Sequence, residues 1–130
     1  MAGSSASLHE DPAHLRPETK DHHRAIVSIM EELEAIDWYD QRVEAAHDDE
    51  LRKILAHNRD EEKEHAAMML EWLRRHDAKL DEHLRTYLFT SASVLDIEAA
   101  AEADADSETQ AGDGSLGIGS LRERRGKREG

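Results

Sequence analysis

Cysteine is absent from this chain of 130 residues, which excludes a disulfide framework and any thiolate metal site. Proline occurs only at Pro12 and Pro17, and no glycine lies between Ser4 and Gln110. Nothing in the middle of the chain therefore interrupts a long helix. Basic residues are outnumbered, with 17 Lys and Arg against 30 Asp and Glu. The formal charge of -13 disfavours nucleic acid and anionic membrane surfaces and attracts cations. No apolar run approaches the roughly 18 to 20 residues that a membrane span needs. The first residues also lack the basic and apolar regions of a signal peptide, so we expect a soluble, cytoplasmic protein.

What the chain does have is helical periodicity with polar residues in the wrong places. At 100° per residue, Leu51, Ile54, Leu55, Ala66, Met69, Trp72 and Leu73 share one broad arc, the apolar face of an amphipathic helix. Asn58, Glu62 and His65 fall inside that arc. Burying a carboxylate without a partner costs several kcal/mol, so something must compensate it. Glu62 and His65 stand at i, i+3 and project toward one point, and a carboxylate with a neutral imidazole is ligand chemistry for iron, manganese or zinc.

A second anomaly lies earlier. Ala25, Ile29, Ile36, Tyr39 and Val43 form one side of a preceding helix, extended by Ile26, Met30 and Leu33, and Glu32 sits among them. Glu31, Glu34 and Trp38 share another face with Val27, where two glutamates form either a solvated surface or an acidic mouth that feeds cations toward Glu32.

In order, residues 1–15 read as a mobile N-terminal arm. Pro17 suits a first helical position, so a first helix is expected from Arg16 to Ala46. His47, Asp48 and Asp49 make a turn with an Asp available as cap, and a second helix follows from Asp49 to Arg75. A short third helix is expected over Ala78 to Phe89. Residues 16–90 then form an antiparallel hairpin domain. Residues 91–113 read as an acidic flexible linker, for although Leu95 to Ala103 has some helical propensity, no apolar stripe supports a packed helix. Residues 114–121 read Gly-Ser-Leu-Gly-Ile-Gly-Ser-Leu, in which Leu116, Ile118 and Leu121 suit an extended peptide that seats aliphatic anchors in another protein's pockets. Residues 122–130 are a basic tail.

A di-iron carboxylate site in a four-helix bundle takes a Glu from each of two helices and a Glu-x-x-His from each of the other two. This chain offers half of the ligands, Glu32 with Glu62 and His65, on half of the helices. A two-fold dimer supplies both missing halves and covers the apolar faces. The expected fold is therefore all-α, a two-helix antiparallel hairpin that dimerises into a four-helix bundle, with a disordered tail. The residues alone leave two alternatives open. One is a structural dimer or adaptor whose buried charges are salt bridges, for instance Glu62 with Arg59 or Lys63 of a neighbour. The other is a di-metal oxidase or peroxidase acting on another substrate.

The runs Ile26 to Arg42 and Ile54 to Arg74, together with Ser115 to Leu121, closely resemble the encapsulated ferritins, ferritin-like cargo proteins of bacterial encapsulin nanocompartments. The resemblance covers about residues 15–90 and the tail peptide. It implies a ferritin-like bundle built from two-helix protomers, a ferroxidase that oxidises Fe(II) to Fe(III) with oxygen at a di-iron site shared between subunits, and dimers arranged in a ring. It assigns Glu32, Glu62 and His65 as iron ligands and Glu31 and Glu34 as a site through which metal enters. Trp38 and Tyr39 would lie beside the centre, and Ca, Mn or Zn would act as surrogate ions. Leu116, Ile118 and Leu121 would dock on the encapsulin shell, which implies iron storage and detoxification inside the compartment. The basic tail after the peptide departs from the family pattern.

Overall fold

The structure, a computed structural model, describes residues 7–110. Within them four α-helices follow a 3-10 turn at Pro12–His14, and no strand occurs. That turn lies in the segment read as a mobile arm, where the Asp11 carboxylate accepts the Ala13 N–H at 2.9 Å.

Helix α1 spans Pro17–Ala45 and helix α2 spans Asp49–His76. Both lie within one residue of the expected bounds. Pro17 opens α1 after an extended Arg16, with Glu18 in the electropositive first turn. Asp48 caps α2, its carboxylate accepting the Leu51 N–H at 2.8 Å. Asp49 and Glu50 favour the start of α2, and Arg74, Arg75 and His76 its end. Arg52 closes the turn by donating to the Ala46 carbonyl at 2.5 Å.

Asp77 separates α2 from helix α3, Ala78–Tyr87. Its extended backbone ends one helix, and its carboxylate accepts the N–H groups of Lys79 at 3.1 Å and Leu80 at 2.9 Å to start the next. The third helix stops two residues short of the expected Phe89, which lies in the left-handed region at φ 61.

The acidic linker requires a correction. Val94–Gln110 is a helix, α4, rather than a flexible segment. Its composition explains this, since Ala and Glu have the best intrinsic helix propensities and the Ser93 carbonyl accepts the Ile97 N–H at 3.0 Å to begin the ladder. This helix carries no buried apolar stripe: from Val94 to Ser107 only Ile97 is half-buried.

The chain divides into two compact units, Met1–Asp81 and Glu82–Gly130. In the first, α1 and α2 pack side by side along their lengths. An Arg59–Asp40 ion pair at 3.1 Å ties the two helices together. Only Ala25 and Leu73 are fully buried among the described residues, at 3% and 8% exposure. Ile26, Leu33 and Trp38 on α1, and Leu51, Ile54 and Met68 on α2, remain largely exposed. Two helices present at most one mutual stripe, so the broader apolar arcs foreseen from periodicity stand partly uncovered. No helix among the described residues is long and apolar enough to cross a membrane.

Candidate metal centre

Glu32 lies midway along α1, and Glu62 and His65 lie midway along α2. The side-by-side packing of the helices brings them together: one ligand atom from each lies within 4.8 Å of the others. His65 Nδ1 is 3.4 Å from a Glu62 carboxylate oxygen and 3.8 Å from one of Glu32. The carboxylate side chains are 24% exposed and that of His65 is 42% exposed, so all three sit at the edge of the helix interface with one side open. Among the described residues this is the one grouping of three acidic or imidazole ligands close enough to hold a metal ion.

The two carboxylates contend for one proton. Glu32 is pushed above the usual carboxylate range, first by donating a hydrogen bond to Glu62, then by partial burial and by the negative charge of Glu62. Glu62 is pushed the other way, by accepting that bond and by its contact with His65. A cation at this point competes with that proton to neutralise the pair.

Among the described residues no Lys or Arg pairs with Glu32 or Glu62. Arg59 is taken by Asp40 at 3.1 Å and Asp60 at 3.2 Å, and Lys63 by Asp60 at 3.4 Å. These are the two cations that a salt-bridge reading of Glu62 would use. Within the chain they are committed elsewhere, and a carboxylate pair with one imidazole is left facing outward. That donor set fits a hard or borderline divalent ion such as Fe(II), Mn(II) or Zn(II).

A family model described as EncFtn-like matches residues 7–91. The chain belongs to the EncFtn-like family. It is 64% identical over 129 residues to a protein of Rhodospirillum rubrum named "Encapsulated ferritin-like protein", an alignment covering 94% of this chain and 92% of that one. A "Ferritin-like protein" of Thermotoga maritima is 51% identical over 113 residues, covering 87% and 96% of the two chains. Among solved structures, the crystal structure of protein ne0167 from Nitrosomonas europaea is 58% identical with a TM-score of 0.66, covering 68% of this chain and 97% of that one. The EncFtn-like match contains all three residues of the triad and stops before the tail.

Of the other expected residues, Glu31 and Glu34 fall outside the ligand grouping of the EncFtn-like chain. Glu31 is exposed and Glu34 half-buried. Trp38 is 47% exposed, while Tyr39 is half-buried with the Arg42 guanidinium 5.3 Å from its ring centroid. Leu116, Ile118 and Leu121 lie outside the described residues. One arrangement that periodicity did not foretell is a cluster of His22, Trp72 and His76 where the start of α1 meets the end of α2. Its only signal in the sequence is that an antiparallel pair joined by a short turn brings those two ends together.

Proposed function

We propose that this protein is a ferroxidase whose di-iron site forms between two copies of the chain, and that it works as cargo of an encapsulin shell. The observation that carries this is the gathering of Glu32, Glu62 and His65 within 4.8 Å, at a surface flanked by uncovered apolar residues. One chain offers two carboxylates and one imidazole, half of what two irons in a helical bundle take. A two-fold partner adds the other half and covers residues such as Leu33 and Met68, which are 56% and 57% exposed in the single chain.

In this reading iron is the substrate. Glu62 bridges the two ions across the axis, while Glu32 and His65 hold one ion each. A metal ion competes here with the proton that Glu32 holds more tightly than a free carboxyl does. Each Fe(II) then gives one electron to dioxygen. Two irons and two protons yield hydrogen peroxide, while four irons and four protons take the oxygen to water. The Fe(III) left behind prefers hard anionic oxygen donors. With 30 acidic residues in the chain, the surface concentrates Fe(II) near the site. Glu31 and Glu34 serve as the approach, Trp38 and Tyr39 border the centre, and Ca, Mn or Zn occupy the same ligands as surrogates.

Dimers join into a ring, which has no closed cavity of its own. Storage therefore falls to the surrounding shell, reached through Leu116, Ile118 and Leu121, and the protein resides inside that compartment in the cytoplasm. The competing reading, structural ion pairs in the dimer seam, is weakened by Arg59 and Lys63 binding Asp40 and Asp60 instead.

The test is an anaerobic Fe(II) titration of the full chain followed by native mass spectrometry, then admission of oxygen. Two irons per dimer, metal-dependent association, and loss of oxidation in Glu32→Ala, Glu62→Ala and His65→Ala are expected. Wild-type protein that oxidises iron no faster than those variants would end the ferroxidase reading.

A further inference from the structure

His22 on α1 and His76 on α2 meet around Trp72. The His76 ring stacks on the indole at 4.0 Å between centroids and 18° between planes, and the His22 ring meets the indole edge-on at 5.7 Å. The two imidazole centroids are 6.5 Å apart. Two imidazoles on one ion, with metal–nitrogen bonds of about 2.0–2.1 Å, have centroids about 5 Å apart at a tetrahedral angle and about 6.4 Å apart when trans. The observed spacing is therefore that of a trans pair, which square-planar or tetragonal Cu(II) or Ni(II) accommodates and tetrahedral Zn(II) does not.

The local chemistry leaves both rings available. His76 Nδ1 lies 2.8 Å from the Trp72 carbonyl, and donating its proton there leaves Nε2 as a lone-pair donor. The adjacent carboxylates are engaged: Asp21 with Arg24 at 2.7 Å, and Asp77 with the first N–H groups of α3. Neither His22 nor His76 takes part in an ion pair among the described residues. An open cleft of about 300 Å³ lined by Asp21, Arg24, Ala25, Ser28, Met69 and Trp72, with Arg24 paired to Asp21, gives solvent and small ions access beside the indole.

We propose that His22 and His76 form a second cation site that takes a borderline divalent ion, Cu(II) or Ni(II), between trans imidazoles, and clamps the start of α1 to the end of α2. Neutral imidazole donors with no carboxylate favour these ions over the harder ones suited to Glu32 and Glu62, with Cu(II) bound most tightly. Water completes the coordination. The site is independent of the ferroxidase reading, because it shares no residue with the triad.

Trp72 reports on it. The full chain has two tryptophans, so Trp38→Phe leaves Trp72 as the sole indole. Cu(II) alone, added to that metal-free protein, is expected to quench Trp72 emission to saturation, and to do so equally in a His65→Ala background. His22→Gln and His76→Gln, which keep polarity and approximate size, should each raise the Cu(II) midpoint about tenfold or more, since even outer partners of a ligand alter affinity by about 10–100-fold. Unchanged far-UV circular dichroism of the metal-free variants separates loss of a ligand from loss of fold. His23→Gln should leave the midpoint unchanged. A smaller shift in either His22→Gln or His76→Gln, an equal shift in His23→Gln, or loss of quenching with His65→Ala overturns the proposal.

Discussion

Glu32 of α1 faces Glu62 of α2 with ligand atoms within 4.8 Å, and this contact holds the Glu32 carboxyl above its ordinary range while Glu62 is held below its own. The folded chain binds the Glu32 proton more tightly than an unfolded chain does. Its contribution is therefore favourable below the ordinary value of 4.5 and is lost as pH rises through the raised one. Glu62 has the opposite sign, contributing above its ordinary range and losing that contribution as pH falls.

Glu32→Gln supplies a permanently neutral donor in place of the titrating one. Without metal at about pH 8, the variant should melt higher than wild type. Relief of about 0.5 kcal/mol, after discounting for solvent screening at this half-open site, corresponds to about 2–4 °C in a domain of this size. The difference should close at a pH low enough to protonate the raised Glu32 carboxyl in the wild type. Melting curves in excess chelator at both pH values check this, and a variant less stable than wild type at pH 8 would refute this account.

The end of α2 depends on a different arrangement. Arg74 binds Glu71 through two bonds of 2.7 Å and also bonds Asp81 at the start of α3, while Arg75 bonds Glu71 at 2.6 Å. Those guanidinium groups hold the Glu71 carboxyl down at about 2. Because the folded value lies below the ordinary 4.5, the contribution of Glu71 is complete above about 4.5 and disappears as pH falls toward about 2. In Arg74→Leu the Glu71 titration should move up by about one unit or more, toward its ordinary value, since bidentate Arg–carboxylate bonds are the stronger kind. Carboxyl carbon chemical shifts across an acid titration read this directly. An unmoved midpoint would mean that Arg75 alone holds Glu71.

How much of this was visible beforehand follows from the physics of each element. Both long helices could be bounded to within a residue because Pro17 and Asp48 act locally and the apolar spacing continues without interruption between them. The triad was legible because Glu32, Glu62 and His65 violate a pattern, and a violation on an apolar arc shows without knowledge of the neighbouring helix. The helix at Val94–Gln110 was missed for the converse reason. Its stability resides in Ala and Glu propensity rather than in periodic burial, and periodicity detects only the latter. The His22–Trp72–His76 cluster depends on which turn of α1 faces which turn of α2, a register set by packing over the whole pair. The ends of α3 show a further limit, since the left-handed Phe89 that stops it is a residue type that seldom adopts that conformation.

Leu33 raises the last question, because it lies one residue from Glu32 and is 56% exposed in the single chain. An aliphatic side chain buried in a partner's seam contributes about 1.5–3 kcal/mol, and two-fold symmetry counts it twice. Leu33→Asp introduces a charge beside the carboxylate pair and should weaken association by more than about 100-fold, each 1.4 kcal/mol being tenfold. Helicity within the chain should survive, since the α1–α2 contacts at Ala25 and Leu73 are untouched. Sedimentation velocity over a range of concentrations, with circular dichroism on the same samples, measures both. A variant that associates as wild type does would show that this face of α1 points away from the partner. Because Glu32 projects about 100° away from Leu33 on the same helix turn, a shared metal site would then require the partner to approach Glu32 from its other side.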